Sequence, residues 1–199
     1  MFIEEPAPSP ERQALYQEDL DDEGFVMNLT RAWAWVPEVS SGLFALLRAV
    51  AGAGDLSTRD RSILVTAMAS TLGDAYCSLV WGARLAEITD PQTTVALIRN
   101  GSADPMSARD TALAAWARKM VSDPNATTQE DVDSLRSAGM SDGQIVATTV
   151  YTALRLAFST VNDALGIAPD REVAVAAPRQ VANAIDYGRT PDPVPSTGR

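Results

Sequence analysis

The stretch Leu56-Ser57-Thr58-Arg59-Asp60-Arg61, continued by Gly73-Asp74-Ala75-Tyr76-Cys77 and Trp81-Gly82-Ala83-Arg84-Leu85, decides the fold. Ser57 is followed three residues later by Asp60, so its hydroxyl can accept from a free first-turn N–H while the acid reaches back. The apolar residues that follow recur at helical rather than alternating spacing. Two consecutive helices are expected, over about 57–72 and 75–88, with Asp74 as the cap of the second.

The same start signal recurs along the chain: Ser107 with Asp110, Thr127 with Glu130, and Ser141 with Gln144. The Asp forms are the weaker ones, because the side chain is shorter. Leu113, Trp116, Ala117 and Met120 would share one helix face, as would Val146, Val150, Leu154 and Phe158 through Ala153 and Ala157. Further helices are expected over about 10–18, 27–35, 37–50, 108–121, 129–138 and 142–165, and a short one from Asp90-Pro91 to Asn100-Gly101. Ser62-Ile63-Leu64-Val65-Thr66-Ala67 aligns with Gln144-Ile145-Val146-Ala147-Thr148-Thr149, which suggests two similar helical hairpins. Nothing reads as a sheet, so the fold class is all-α.

Three segments follow: an acidic, proline-rich stretch with a short helix at 1–23, a helical domain at 24–170, and an extension at 171–199. In the extension, 173–187 reads as a helix interrupted at Pro178, and 191–199 as a flexible tail. Either it clasps a neighbouring subunit or it packs loosely. Asp19-Leu20-Asp21-Asp22-Glu23-Gly24 places Thr30 where a calcium loop needs its bidentate glutamate, so the run reads as a solvated turn.

Composition excludes much. A net charge of −10 argues against nucleic acid or an anionic membrane surface as partner, since binding phosphates requires clustered cations. No apolar run reaches the length of a membrane span. The single cysteine rules out an intrachain disulfide and points to the cytoplasm. The chain has no histidine, which removes Ser-His-Asp and Cys-His catalysis and histidine-ligated zinc. No cofactor and no metal site is expected.

The chemistry therefore rests on few residues. Cys77 sits in the first turn of its expected helix, where the dipole favours a thiolate, while Asp74 three residues earlier opposes it. With no cation on that helix before Arg84, an unshifted thiol is only about 3% ionised at neutral pH. Cys77 is either a slow single-cysteine thiol or a small buried residue. Asp74 is either a helix cap or, in an apolar site, a proton-transfer group. Trp81 follows Cys77 by four and can cover it. Tyr76 is its bulky neighbour, and Arg84 falls on the same face two turns on, to hold a carboxylate or an intersubunit partner.

At these residues the chain resembles the carboxymuconolactone decarboxylase/alkylhydroperoxidase D-like superfamily, in particular its uncharacterised peroxidase-related branch. That branch reads Leu-Ser-x-Arg-Asp/Glu-Arg-Glu, then Asn-x-Cys-x-Tyr-Cys, then His-Gly-Ala-x-Leu. The resemblance spans Gly24-Phe25-Val26-Met27-Asn28 through Asn162-Asp163-Ala164-Leu165-Gly166-Ile167-Ala168-Pro169-Asp170. It implies an alkylhydroperoxidase D-like helical bundle that assembles as a homo-oligomer, a trimer or hexamer. It also places Cys77 at the attacking cysteine, Asp74 at the resolving cysteine, Trp81 at the histidine and Ser62 at the glutamate. With three of the four positions changed, the expected protein has lost the dithiol peroxidase cycle. It keeps a small-molecule pocket around Ser62, Tyr76, Trp81 and Arg84, or an oligomeric structural role. The alternatives are a one-cysteine hydroperoxide reductase using Cys77 with an external thiol, and an acid-base enzyme acting on a small carboxylate through Asp74 and Arg84.

Overall fold

The computed structural model describes residues 1–101 and 106–191, so the tail expected over 191–199 lies, apart from Pro191, outside the described residues. Eleven α-helices and no strand occur among them. In chain order these are α1 (Pro10–Asp22), α2 (Asn28–Trp33), α3 (Pro37–Ala53), α4 (Thr58–Leu72), α5 (Ala75–Ile88), α6 (Pro91–Ile98), α7 (Ala108–Ser122), α8 (Gln129–Ser137), α9 (Asp142–Ala164), α10 (Arg171–Ala176) and α11 (Arg179–Ala182).

The bundle is built around α4. Every residue from Ser62 to Ala69 is buried, as expected of a helix enclosed on all sides. α5, α7 and α9 pack on it. Fully buried Ile63, Leu64, Met68, Leu85 and Leu113 anchor this core, each contributing on the order of 2 kcal/mol of burial. The face formed by Leu113, Trp116, Ala117 and Met120 turns inward, as its spacing predicts.

Three capping boxes stand where expected, at Ser57/Asp60, Ser107/Asp110 and Ser141/Gln144. The fourth is one residue late, pairing Thr128 with Asp131 rather than Thr127 with Glu130. The chain makes a 3-10 turn at Pro124–Ala126 whose carbonyl at Pro124 binds the Thr127 hydroxyl at 2.9 Å, so Thr127 is already used. The Asp boxes close as fully as the Gln box, because Asp60 and Asp110 have additional partners. Arg59 donates to Asp110 at 3.0 Å through Nε and 2.7 Å through Nη2. Arg109 returns the pairing onto Asp60 at 2.9 and 3.2 Å. The segments Ser57-Thr58-Arg59-Asp60 and Ser107-Ala108-Arg109-Asp110 thus form a reciprocal clasp between α4 and α7. This is the repeat that the geometry expresses. The alignment of Ser62–Ala67 with Gln144–Thr149 is two positions out of step with the caps Ser57 and Ser141.

Of the α9 face expected at Val146, Val150, Leu154 and Phe158, the two valines are exposed, whereas Phe158 is buried in the core with Leu154 packed against it. The buried side of α9 carries the polar row Thr148, Thr152, Arg155, Ser159 and Asn162, spaced three or four residues apart, beside apolar Ile145, Tyr151 and Phe158. In the acidic run at 19–24, Asp19 to Asp22 form the last turn of α1 and Glu23 and Gly24 the exposed turn that follows, while the Asp19 carboxylate accepts the Met27 N–H at 2.9 Å. The extension packs on its own chain: Val181 is fully buried with Ala86, Ile98 and Ala184, and the Tyr187 hydroxyl donates to Ser78 Oγ at 2.9 Å. No helix among the described residues is long and apolar enough to cross a membrane.

Candidate functional site

Gly73 ends α4 in the left-handed conformation (φ 76°), which turns the chain sharply and leaves Asp74 free to cap α5. Asp74 Oδ1 accepts the Cys77 N–H at 2.9 Å, and Oδ2 accepts the Ser159 hydroxyl from α9. Both oxygens of this fully buried carboxylate are therefore committed. Cys77, in the first turn, is only 3% exposed. Burial pushes its thiol well above the ordinary range, and the Asp74 charge adds to this; the pull of Arg155 and Ser159 does not offset them. The thiolate that the helix dipole would favour is thus suppressed by desolvation.

Two turns of α5 and one turn of α9 build the chamber beside Cys77. Trp81 lies beneath the guanidinium of Arg155 at 4.4 Å, and Arg84 stands over the same ring at 5.2 Å. Arg155 is also 5.7 Å from the Phe158 ring and 6.0 Å from that of Tyr151. Phe158 stacks on Trp33 and meets Phe44 edge-on, and Trp33 Nε1 donates to Asn162 Oδ1 at 2.8 Å. The resulting cavity has a volume of about 280 Å³, small for a ligand pocket. Cys77, Tyr76, Trp81, Arg155 and Phe158 line it. Leu15, Glu18, Asp19 and Asp22 of α1 also line it, as do Glu23 and Arg48. A larger cleft of about 720 Å³ between α5 and α10 shares Arg84 but lacks Cys77, Trp81 and Arg155.

Of the residues singled out in the sequence, Cys77, Tyr76, Trp81 and Arg84 line the cavity, whereas Asp74 and Ser62 do not. Ser62 is fully buried in α4, its hydroxyl without a partner, as are those of Thr66 and Thr148. Arg84 is half-exposed and paired within its own chain to Glu23 at 3.1 Å. The Tyr76 hydroxyl donates to Asp170, and burial with that carboxylate pushes the phenol far up. Burial likewise raises the Asp170 carboxyl, although Tyr76 and the Asn28 N–H pull against it. Tyr76 and Asp170 thereby tie α5 to the segment after α9.

Arg155 was not singled out, and the acidic run at 19–24 reads in sequence only as a solvated turn. The signal for Arg155 was present in the period of the polar residues along α9, which matches one helix face. Arg155 is 7% exposed, its Nε has no hydrogen-bond partner, and it makes no ion pair among the described residues. Burying an ion costs several kcal/mol, whereas each ring contact returns roughly 0.5–2 kcal/mol. Among the described residues no group of three His, Cys, Asp or Glu is placed to hold a metal.

Asp163, in the last turn of α9, is a separate electrostatic strain. Burial first, then the charge of Asp74, lift its carboxyl to about 6 against the pull of Arg189. Raised above the unfolded value of about 3.9, this acid holds a proton in the folded state that the unfolded chain has released. Stability therefore falls as pH rises through that window. Asp163→Asn is expected to raise stability at pH 7.5 by on the order of 1 kcal/mol, discounted for partial solvent screening, and to change little at pH 4. Thermal melts at both pH values check this; an equal shift at the two would exclude the titration.

No protein-family model and no curated protein matches the chain. Several solved structures share its fold. An uncharacterised peroxidase-related protein from Ralstonia eutropha JMP134, described as an alkylhydroperoxidase AhpD core, superposes with a TM-score of 0.73 at 23% identity. That match covers 87% of this chain and 96% of that one. An uncharacterised peroxidase-related protein from Silicibacter sp. TM1040 gives 0.76 at 24% identity, over 86% and 93%. The debrominase Bmp8 in its apo form gives 0.73 at 14%, over 94% and 99%, and a variant of it was solved with 2,3,4-tribromopyrrole. The chain has the alkylhydroperoxidase D core fold.

Proposed function

We propose that this protein has left dithiol peroxide chemistry and binds a small molecule in the chamber between α5, α9 and α1. The observation that carries this reading is the state of Cys77: buried, its thiol pushed up, and beside a carboxylate whose two oxygens are both taken. The family resemblance assigns Asp74 to the position of the resolving cysteine, and a carboxylate cannot form a disulfide. The ring-lined chamber supports a planar ligand. The debrominase of like fold was solved with such a molecule, 2,3,4-tribromopyrrole.

The test is graded exposure of the intact protein to hydrogen peroxide and an organic hydroperoxide. Sulfenic acid at Cys77 is trapped and quantified by mass spectrometry, with Cys77→Ser as control. Oxidation no faster than that of a free thiol is expected. Fast stoichiometric trapping would instead establish the one-cysteine reductase. In that reaction the Cys77 thiolate takes the terminal oxygen of the hydroperoxide and the alcohol leaves; an external thiol then forms a mixed disulfide with release of water, and a second thiol restores Cys77. One observation favours that rival, namely that Cys77 lines the cavity next to a cation. The acid-base reading has no such support, since Asp74 and Arg84 do not meet in the chamber.

A further inference from the structure

We infer that the chamber is a carboxylate site, in which Arg155 receives the head of a planar monoanion whose far end is neutral or cationic. This rests on the ligand-binding reading above and names its ligand class. The first support is the cation itself. A guanidinium presents donors in a fixed fork that matches a carboxylate, and Arg155 has neither an ion pair nor a hydrogen bond among the described residues while lining the cavity. Cys77 does not supply the missing negative charge, because its thiol is held protonated. Asp74 does not either, being bound to Ser159 and the α5 backbone.

The walls supply the second support. Trp81 and Phe158 flank the guanidinium, so an aromatic body continuing outward from a carboxylate would lie along apolar surface. The third is the more exposed part of the chamber's lining. There Glu18, Asp19, Asp22 and Glu23 outnumber Arg48 and Arg84. A second carboxylate on the ligand would meet this acidic edge and be repelled, whereas an ammonium would be attracted. The charge order along the chamber, cation inside and anions outside, thus selects monoanions over dianions.

The probes are benzoate, its neutral isostere benzamide, the dianion terephthalate and the zwitterion 4-(aminomethyl)benzoate. Each is titrated against the intact protein at low salt, by calorimetry and by saturation-transfer NMR, which detects weak complexes. Benzoate is expected to bind about tenfold or more tightly than benzamide, the margin of a charge-assisted bidentate pair. Terephthalate should bind more weakly than benzoate and the zwitterion more tightly. Arg155→Met should bring benzoate down to the level of benzamide. Benzamide binding as well as benzoate, or a preference that survives in Arg155→Met, would overturn the proposal while leaving a ligand chamber in place. Absence of binding by all four would remove both. Rapid oxidation of Cys77 by peroxide would remove the non-peroxidase reading and leave this comparison standing. The wild-type comparison of benzoate with benzamide needs no variant to fold.

Discussion

Asp110→Ala is expected to lower the unfolding free energy by about 3 kcal/mol, the low end of what breaking a buried ion pair costs. Three contributions are lost together. The carboxylate, 2% exposed, caps α7 through the Ser107 N–H at 2.9 Å. It also receives the forked guanidinium of Arg59, and it places negative charge at the N-terminus of a helix. Arg59 is 34% exposed and can turn to water, which is why the low end applies. The loss remains a large share of the 5–15 kcal/mol typical of a domain. Asp110→Asn keeps an oxygen for the cap but loses the charge, so an intermediate loss is expected. Urea unfolding of the two variants measures both steps. A loss for Asp110→Ala below about 1 kcal/mol would mean that the clasp behaves as an ordinary surface pair.

The clasp also fixes an acid dependence. Burial pushes the Asp60 and Asp110 carboxyls upward, but the hydrogen bonds from Arg109, Arg59 and the caps outweigh it, and both end below the ordinary range. An acid lowered in the folded state stabilises the fold above the unfolded value of about 3.9. That contribution is lost as pH falls through the folded values. The difference between wild type and Asp110→Asn should accordingly close at low pH.

Local signals made most of the fold legible. Ser57, Ser107 and Ser141 each announce a helix by chemistry that needs no tertiary partner, and the structure places the helices there. Thr127 failed because its hydroxyl was claimed by a turn three residues earlier, a competition that the capping pattern alone does not express. The orientation of α9 was less legible. Its expected apolar face is split, with Val146 and Val150 outward and Phe158 inward, and the neighbours decide that the row Thr148, Thr152, Arg155, Ser159 and Asn162 is buried with it. Those neighbours are Trp33, Asp74 and Trp81, remote in sequence and brought together by the bundle. The acidic side of the chamber was hidden for the same reason. Asp19 and Asp22 have the composition of a solvated turn, and they become a chamber wall because α1 extends through them.

Arg155→Met is expected to make the ligand-free protein more stable, by about 1–2 kcal/mol, while abolishing its preference for carboxylates. Removing a buried charge that has no partner relieves a desolvation cost, and methionine fills comparable space with a flexible apolar chain. The gain is kept modest by two effects. Contacts of the guanidinium with Trp81 and Phe158 are lost, and water in the chamber can solvate its open side. For a chain of this size the melting temperature should rise by roughly 2–4 °C per kcal/mol. Benzoate should then raise the melting temperature of wild type and not of the variant, because a ligand stabilises only a state it binds. A structural arginine predicts the opposite sign: the variant would be destabilised with or without benzoate, and the rings around Arg155 would be its whole purpose. Stability gained together with binding lost is the signature of a residue retained for its ligand, since a fold selected only for stability would have replaced it.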